Sequence, residues 1–183
     1  LSPFSYFSWK NTQDLRDNPE IDIALKPVVM GSLFNHWEIK GPGEVAPKRH
    51  QMLKKCFQYA AINKIDFVPP KTHPFNPLYA LRLATIACAE NNQEKVIDHL
   101  WTTCWGKGHE LGEAEFLEKE LTSIGLDGKF LIEKTFDREV KAQLKQNTKE
   151  AIAQKAFGVP SFVYQNELFW GNDSLEFLKL ALN

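Results

Sequence analysis

Ala156-Phe-Gly-Val-Pro-Ser-Phe-Val-Tyr-Gln-Asn-Glu-Leu-Phe-Trp-Gly-Asn-Asp-Ser-Leu-Glu-Phe-Leu178 reads as a helix end, a hairpin and a new helix start in close succession. Gly158 follows a long helical run and is expected to supply the left-handed residue that commonly ends a helix, after which Val159-Pro160 favours extended or turn geometry. Ser161-Phe-Val-Tyr164 and Glu167-Leu-Phe-Trp170 are short β-prone runs. The two residues between them, Gln165-Asn166, predict a two-residue hairpin loop, with weaker turn chemistry than Asn-Gly. Gly171 breaks the second strand, and Asn172-Asp173-Ser174 offers capping side chains to a last helix that carries Leu175, Leu178, Ala181 and Leu182 on one face. A proline at the mouth of a strand, beside a polar pair at a helix start, can frame a peptide-like ligand. An ordinary hairpin and cap would leave the same signals.

Upstream of this stretch the pattern is helical for a long way. Helices are expected over 78–90, 93–105, 113–124, 129–135 and 138–157, with short polar connections. The proline-rich run Ile65-Asp-Phe-Val-Pro-Pro-Lys-Thr-His-Pro-Phe-Asn-Pro77 marks where this block begins. Before it, a helix from Pro47 places Met52, Leu53, Cys56, Phe57 and Ala60 at helical spacing, with Lys48, Arg49, Lys54 and Lys55 on other faces. Ser32 to Val45 is a Gly/Pro-containing connection with Asn35, His36 and Trp37, too irregular to read as a simple helix. Ile21, Ile23 and Leu25 alternate as in a strand until Lys26-Pro27 interrupts them. At the start, Ser2-Pro3 is a strong helix opening, with a serine to cap and a proline at the first helical position. The helix that follows buries Phe4 and Phe7 and fades through 10–18.

The order is helix, strand, helix, a helical block, then strand, strand, helix. With one parallel strand ahead of Leu1, it becomes an α/β thioredoxin-like domain interrupted by an all-helical insertion. That assigns 1–68 and 156–183 to the thioredoxin-like domain and 69–155 to the insertion. The length of 183 residues suits one core with an appendage rather than two large domains. A formal net charge of -1 gives no electrostatic reason to expect nucleic acid or a membrane surface, and no apolar run is long enough to span a bilayer. The three cysteines, Cys56, Cys88 and Cys104, form no Cys-x-x-Cys pair, so neither a disulfide framework nor a dithiol motif is expected; a reducing cytoplasm suits them. His99, Cys104, His109 and Glu110 match no compact ligand spacing, so no metal is expected.

Ser2-Pro3-Phe4-Ser5-Tyr6 at one end, with Phe157-Gly-Val-Pro160 and Phe169-Trp-Gly-Asn-Asp173 at the other, resembles the 2-hydroxychromene-2-carboxylate isomerases and kappa-class glutathione transferases, in the DsbA-like branch of the thioredoxin superfamily. Asn76-Pro-Leu-Tyr-Ala-Leu-Arg-Leu-Ala84, at the start of the helical insertion, belongs to the same resemblance. The resemblance implies glutathione as cofactor and a first strand just upstream of Leu1. It implies that Ser2, with Pro3 and Phe4, holds the glutathione sulfur where redox relatives carry a cysteine. It implies that Val159, before a cis Pro160, exchanges backbone hydrogen bonds with the cysteinyl unit. It implies that Asn172 and Asp173 receive the γ-glutamyl group, with Asn172 in place of the more familiar Ser or Gln. The family often carries Gly-Asn and Pro-Pro after the second strand; here the connection reads Asn35-His-Trp-Glu-Ile-Lys-Gly-Pro-Gly43, leaving Asn35 as the asparagine available for that contact. Family members commonly form homodimers.

A thiol near its reference pKa of ~8.5 is mostly protonated at neutral pH, and lowering that value by about two units takes roughly 2.7 kcal/mol. A Ser2 hydroxyl and the N–H groups of a helix start can supply this without a formal charge. For a substrate carboxylate and ring, Lys48, Arg49, Arg82, Trp37, Phe75, Tyr79 and Asn76 are the candidates. Serine forms no mixed disulfide, so disulfide-exchange chemistry is disfavoured at position 2. Three readings stay open: a glutathione-dependent isomerase acting on unsaturated pyruvates, a kappa-like transferase, and a DsbA-like homologue without Cys-x-x-Cys that binds peptides.

Overall fold

The computed structural model describes residues 1–89 and 92–182. Two compact units emerge. One comprises Leu1–Ala24, Met30–Phe67 and Lys149–Asn183; the other comprises Leu25–Val29 and Val68–Thr148.

In the first unit, α1 (Pro3–Asn11) starts at Ser2, whose extended backbone and following proline make it the N-cap residue. The Ser2 carbonyl accepts from the Tyr6 amide at 3.2 Å, but its hydroxyl makes no capping bond, contrary to the sequence expectation. Tyr6, Phe7 and Trp9 are buried, and Phe7 packs its ring against Tyr59 and Phe67 at 5.0 and 5.3 Å. The fade expected after Lys10 becomes a short second helix, α2 (Gln13–Arg16). Residues expected as an irregular connection fold instead as α3 (Met30–His36), which buries Leu33 completely. A single fully buried leucine is too sparse a periodicity to read from sequence. The next helix, α4 (Ala46–Asn63), buries Cys56 and Ala60 and ends on Lys64 in the left-handed conformation.

The hairpin forms as expected: β1 (Ser161–Tyr164) pairs antiparallel with β2 (Glu167–Trp170), with Phe162 opposite Phe169. Gln165 and Asn166 both have positive φ, 50° and 66°, the backbone of the tight turn that matches strand twist. A short 3-10 turn, Asn172–Ser174, leads into α10 (Leu175–Ala181), whose Leu175 and Leu178 are buried.

The second unit is helical: α5 (Leu78–Ala89), α6 (Gln93–Trp101), a π-helical turn at Thr102–Gly106, α7 (Ala114–Ser123), α8 (Gly128–Lys134) and α9 (Arg138–Ala153), the last of which continues into the first unit. Its core holds Leu83, Val96, Leu100, Cys104, Trp105, Leu111, Leu117 and Leu121. The expected end of the first of these helices, Glu90, lies outside the described residues, as does the Cys88 side chain.

Two further expectations fail for identifiable reasons. Residues 21–25 are not a strand: Gln93 donates to the Leu25 carbonyl, Asn147 to the Pro27 carbonyl, and the Val29 amide donates to Thr148. Side chains of the helical unit thus take the polar groups of Leu25, Pro27 and Val29 that a neighbouring strand would otherwise pair. Gly158 is not the left-handed helix end. That residue is Lys155, at φ 61°, where the Lys155 amide donates to Ile152 and the Ala156 amide to Ala151. These two bonds are the Schellman closure, formed here around a lysine. Among the described residues, no helix is long and apolar enough to cross a membrane.

Candidate functional site

Three pieces of the first unit are hydrogen-bonded into one frame. The Val159–Pro160 peptide bond is cis. The Pro160 carbonyl accepts from the Gly171 amide at 3.0 Å, which fastens the proline segment to the Gly171-Asn172-Asp173 corner. Asn172 is fastened in turn to α1, because its Oδ1 accepts from the Ser8 hydroxyl at 3.0 Å and from Asn11 Nδ2 at 3.3 Å. The cis proline, the polar pair and the helix that begins at Ser2 are thereby coupled through side chains and backbone of one compact unit.

Two glycines make this corner possible. Gly158 is buried, and a β-carbon there would stand 2.7 Å from the Trp170 indole nitrogen. Its carbonyl accepts from the Ser161 hydroxyl at 2.8 Å, which sets the approach to Pro160. Gly171 has φ 91°, and a β-carbon would overlap the Asp173 carboxylate. Only glycine fits both the backbone angle and the neighbour. Ser174 donates to the Trp170 carbonyl at 2.6 Å and closes the turn.

At the other end of α1, Ser2 is buried and its hydroxyl makes no hydrogen bond with the described residues. One turn further on, the enclosed Ser5 hydroxyl also lacks a hydrogen-bond partner. An enclosed hydroxyl left unbonded costs about 1–3 kcal/mol, which Ser5 bears, whereas the Ser2 hydroxyl is not enclosed in this way and is open to a polar ligand atom. Phe4 is half-buried, its ring 6.4 Å from Phe7.

The other sequence candidates are more scattered. Asn35 is exposed on α3, and Lys48 and Arg49 are exposed in the first turn of α4. Trp37 donates from Nε1 to the Ala156 carbonyl at 2.9 Å and lines an open groove of about 730 Å³ with Ile39, Lys155, Phe157 and Leu168. None of Ser2, Val159, Pro160, Asn172 or Asp173 lines that groove. In the helical unit, Asn76 accepts from the Leu78 amide at 3.1 Å at the start of α5, a capping role. Tyr79 packs on Phe136 at 5.9 Å and Phe75 on His73 at 6.0 Å; Arg82 has an enclosed Nε without a partner among the described residues. His99 bonds Glu120 at 2.9 Å, which Thr103 also reaches. Among the described residues, no three His, Cys, Asp or Glu side chains converge as a metal site. Cys56 and Cys104 are free and buried, and burial pushes both thiols up to about 12.

Sequence reasoning missed Ser8, Asn11 and Tyr59. Ser8 and Asn11 lie six and nine residues beyond Ser2, and Tyr59 reaches Asn11 from α4. The available signal was a polar residue, Ser8, inside the apolar run from Tyr6 to Trp9, where a buried hydroxyl demands a partner.

A family model described as "DSBA-like thioredoxin domain" matches residues 1–183. The chain is 24% identical over 184 residues to a 2-hydroxychromene-2-carboxylate isomerase from Sphingobium xenophagum, covering all of this chain and 93% of that protein. It is 23% identical over 197 residues to glutathione S-transferase kappa 1 from Rattus norvegicus, covering all of this chain and 87% of that protein. A solved structure of a 2-hydroxychromene-2-carboxylate isomerase superposes with a TM-score of 0.90 at 20% identity, over 99% of this chain and 89% of that one. The resemblance carried by the terminal motifs and the DsbA-like thioredoxin fold they implied are both borne out. These relatives are enzymes, an isomerase and a transferase by name.

Proposed function

Because the chain belongs to the family of DSBA-like thioredoxin domains, we propose that it is a glutathione-dependent isomerase of the 2-hydroxychromene-2-carboxylate isomerase type, acting on unsaturated pyruvates derived from aromatic compounds. The observation that carries the reading is a serine with an uncommitted hydroxyl at the start of α1, in a unit whose cis proline is bonded to the Asn172-Asp173 corner. Serine at that position can hold another molecule's sulfur and cannot exchange disulfides.

The residues present fit glutathione. Six residues of helix from Ser2 to Ser8 rise about 9 Å, comparable with the span of roughly 10 Å for an extended tripeptide. On this reading Ser2 donates to the sulfur, with Pro3 and Phe4 shaping the helix start. Val159 offers its backbone N–H and carbonyl to the cysteinyl unit, and Asn172 and Asp173 take the γ-glutamyl end. Bound glutathione supplies a thiolate that adds reversibly to an unsaturated carbon, so that a double bond can turn as a single bond and then be restored. Ser2 favours the thiolate by donating a hydrogen bond, and the uncapped N–H groups of the first turn add to that field. On the same reading the protein works in the cytoplasm, where glutathione is kept reduced, and as a homodimer.

The test is calorimetric titration of reduced glutathione into the protein, beside Ser2→Ala and Asp173→Ala variants, followed by an assay with 2-hydroxychromene-2-carboxylate. Micromolar-to-millimolar binding that weakens strongly in Asp173→Ala, with loss of the bound thiolate's ultraviolet absorbance in Ser2→Ala, supports the reading. No heat and no thermal stabilisation at about 10 mM glutathione defeats it. Turnover of conjugation substrates without isomerisation would make the protein a kappa-like transferase instead, the activity named for its other relative.

A further inference from the structure

Asn172 is held by its carbonyl side. A side-chain amide has one acceptor oxygen with two lone pairs and one NH2 with two donors. The Ser8 hydroxyl and Asn11 Nδ2 both donate to Asn172 Oδ1, which uses both lone pairs. Asn11 is itself braced, because its Nδ2 also reaches the Tyr59 hydroxyl oxygen at 2.5 Å. Ser8 is 3% exposed, so water does not compete effectively for the bond that orients the amide. What Asn172 has left to offer is its NH2, which donates to none of the described residues. Its neighbour Asp173 is exposed and accepts only. A donor and a carboxylate thus stand on consecutive residues.

We propose that Ser8, Asn11 and Tyr59 are positioning residues that lock Asn172 as a donor, so that this corner reads the head of an α-amino acid. Asn172 takes the carboxylate and Asp173 the ammonium. The inference rests on the glutathione reading and deepens it: the group selected is the α-carboxylate of the γ-glutamyl unit. Were the amide reversed, its oxygen would face that carboxylate, and a favourable charge-assisted bond would become a repulsion. Specificity at the surface of the site is in this way set by a hydroxyl buried behind it.

The experiment compares two peptides by calorimetry: reduced glutathione, and 4-aminobutanoyl-cysteinyl-glycine, which keeps the ammonium and lacks only the α-carboxylate. Both are titrated into the unaltered protein and into Asn11→Asp, Ser8→Ala and Tyr59→Phe, with melting temperatures recorded. Asn11→Asp replaces the donor with an acceptor and turns the Asn172 amide round. Position 11 is part-buried, where salt screens poorly, so the added charge itself disfavours the carboxylate and the neutral variants decide between the two causes. Ser8→Ala and Tyr59→Phe loosen the same lock without changing charge, and they serve if Asn11→Asp does not fold. The expected result is a preference for glutathione of about 10- to 100-fold in the unaltered protein. In Asn11→Asp that preference falls to near unity, and in the neutral variants it shrinks part-way, while affinity for the analogue stays unchanged. A preference that survives, a parallel loss of both peptides, or no preference in the unaltered protein overturns the inference and leaves the glutathione reading standing. Failure of the unaltered protein to bind either peptide removes both.

Discussion

The Trp170 indole nitrogen stands so close over Gly158 that a β-carbon on the glycine would lie 2.7 Å from it. The indole is further pinned by Phe157, whose ring centre is 4.8 Å away. Gly158→Ala must therefore tilt Trp170 or shift the segment leading into Pro160. The expected cost is about 1 kcal/mol in urea unfolding, within the usual range for overpacking. Combining it with Trp170→Leu should recover most of the loss. Simple additivity of the two changes would show that the contact does not govern this corner.

Lys155 and Gly171 carry opposite predictions from the same backbone property. Lys155 occupies a left-handed position at φ 61° with its side chain exposed, so Lys155→Gly should stabilise the protein by about 0.5–1 kcal/mol. Gly171→Ala meets both φ 91° and the Asp173 carboxylate, and should destabilise by at least about 1–2 kcal/mol. Thermal melts of the two variants, expected to move in opposite directions, check both.

Lys179 bonds Asp14 at 2.6 Å and ties α10 to the start of the chain. Its hydrogen bond holds the Asp14 carboxyl below its ordinary value of 3.8. A depressed folded-state value means stability that is present above the unfolded carboxyl's pKa and is lost as pH falls through the lower, folded one. Asp14 is 61% exposed, so the contribution is no more than about 0.5 kcal/mol at neutral pH. Asp14→Asn should lower stability by that amount at pH 7, with the difference from the parent vanishing near pH 2 and shrinking in high salt.

Burial holds the thiols of Cys56 and Cys104 near 12, which leaves about one thiolate in ten thousand at pH 8. Iodoacetamide at that pH should leave both unmodified in the folded protein and label both in denaturant, as read by peptide mass mapping. Rapid labelling of either in the native protein would contradict the burial.

The terminal motifs were legible because each is local. The Gln165-Asn166 turn, the β-prone runs and Ser2-Pro3 declare themselves within a few residues, and the structure forms the hairpin and α1 at those places. The regions read wrongly depend on distant partners. Residues 21–25 alternate like a strand, but the chain just beyond them is satisfied by Gln93, Asn147 and Thr148, far away in sequence. Position 158 needs glycine because of Trp170, not because of a helix end. The orienting residues behind Asn172 were invisible for the same reason: Ser8 and Asn172 are separated by 164 positions, and nothing near Ser8 names its partner.

The chain order of the two units has a kinetic side. The helical unit is continuous over Val68–Thr148 apart from Leu25–Val29, so nearly all its contacts are available once Thr148 has been synthesised. The unit holding Ser2 and Pro160 is built from the two ends of the chain and cannot close until Asn172 has left the ribosome. Domains fold as units during synthesis, and long closures slow folding, so α1 can pack on Tyr59 and Phe67 early while Ser8 and Asn11 wait through most of translation for Asn172. The interval between those two closures is when this protein is most open to chaperones and to aggregation.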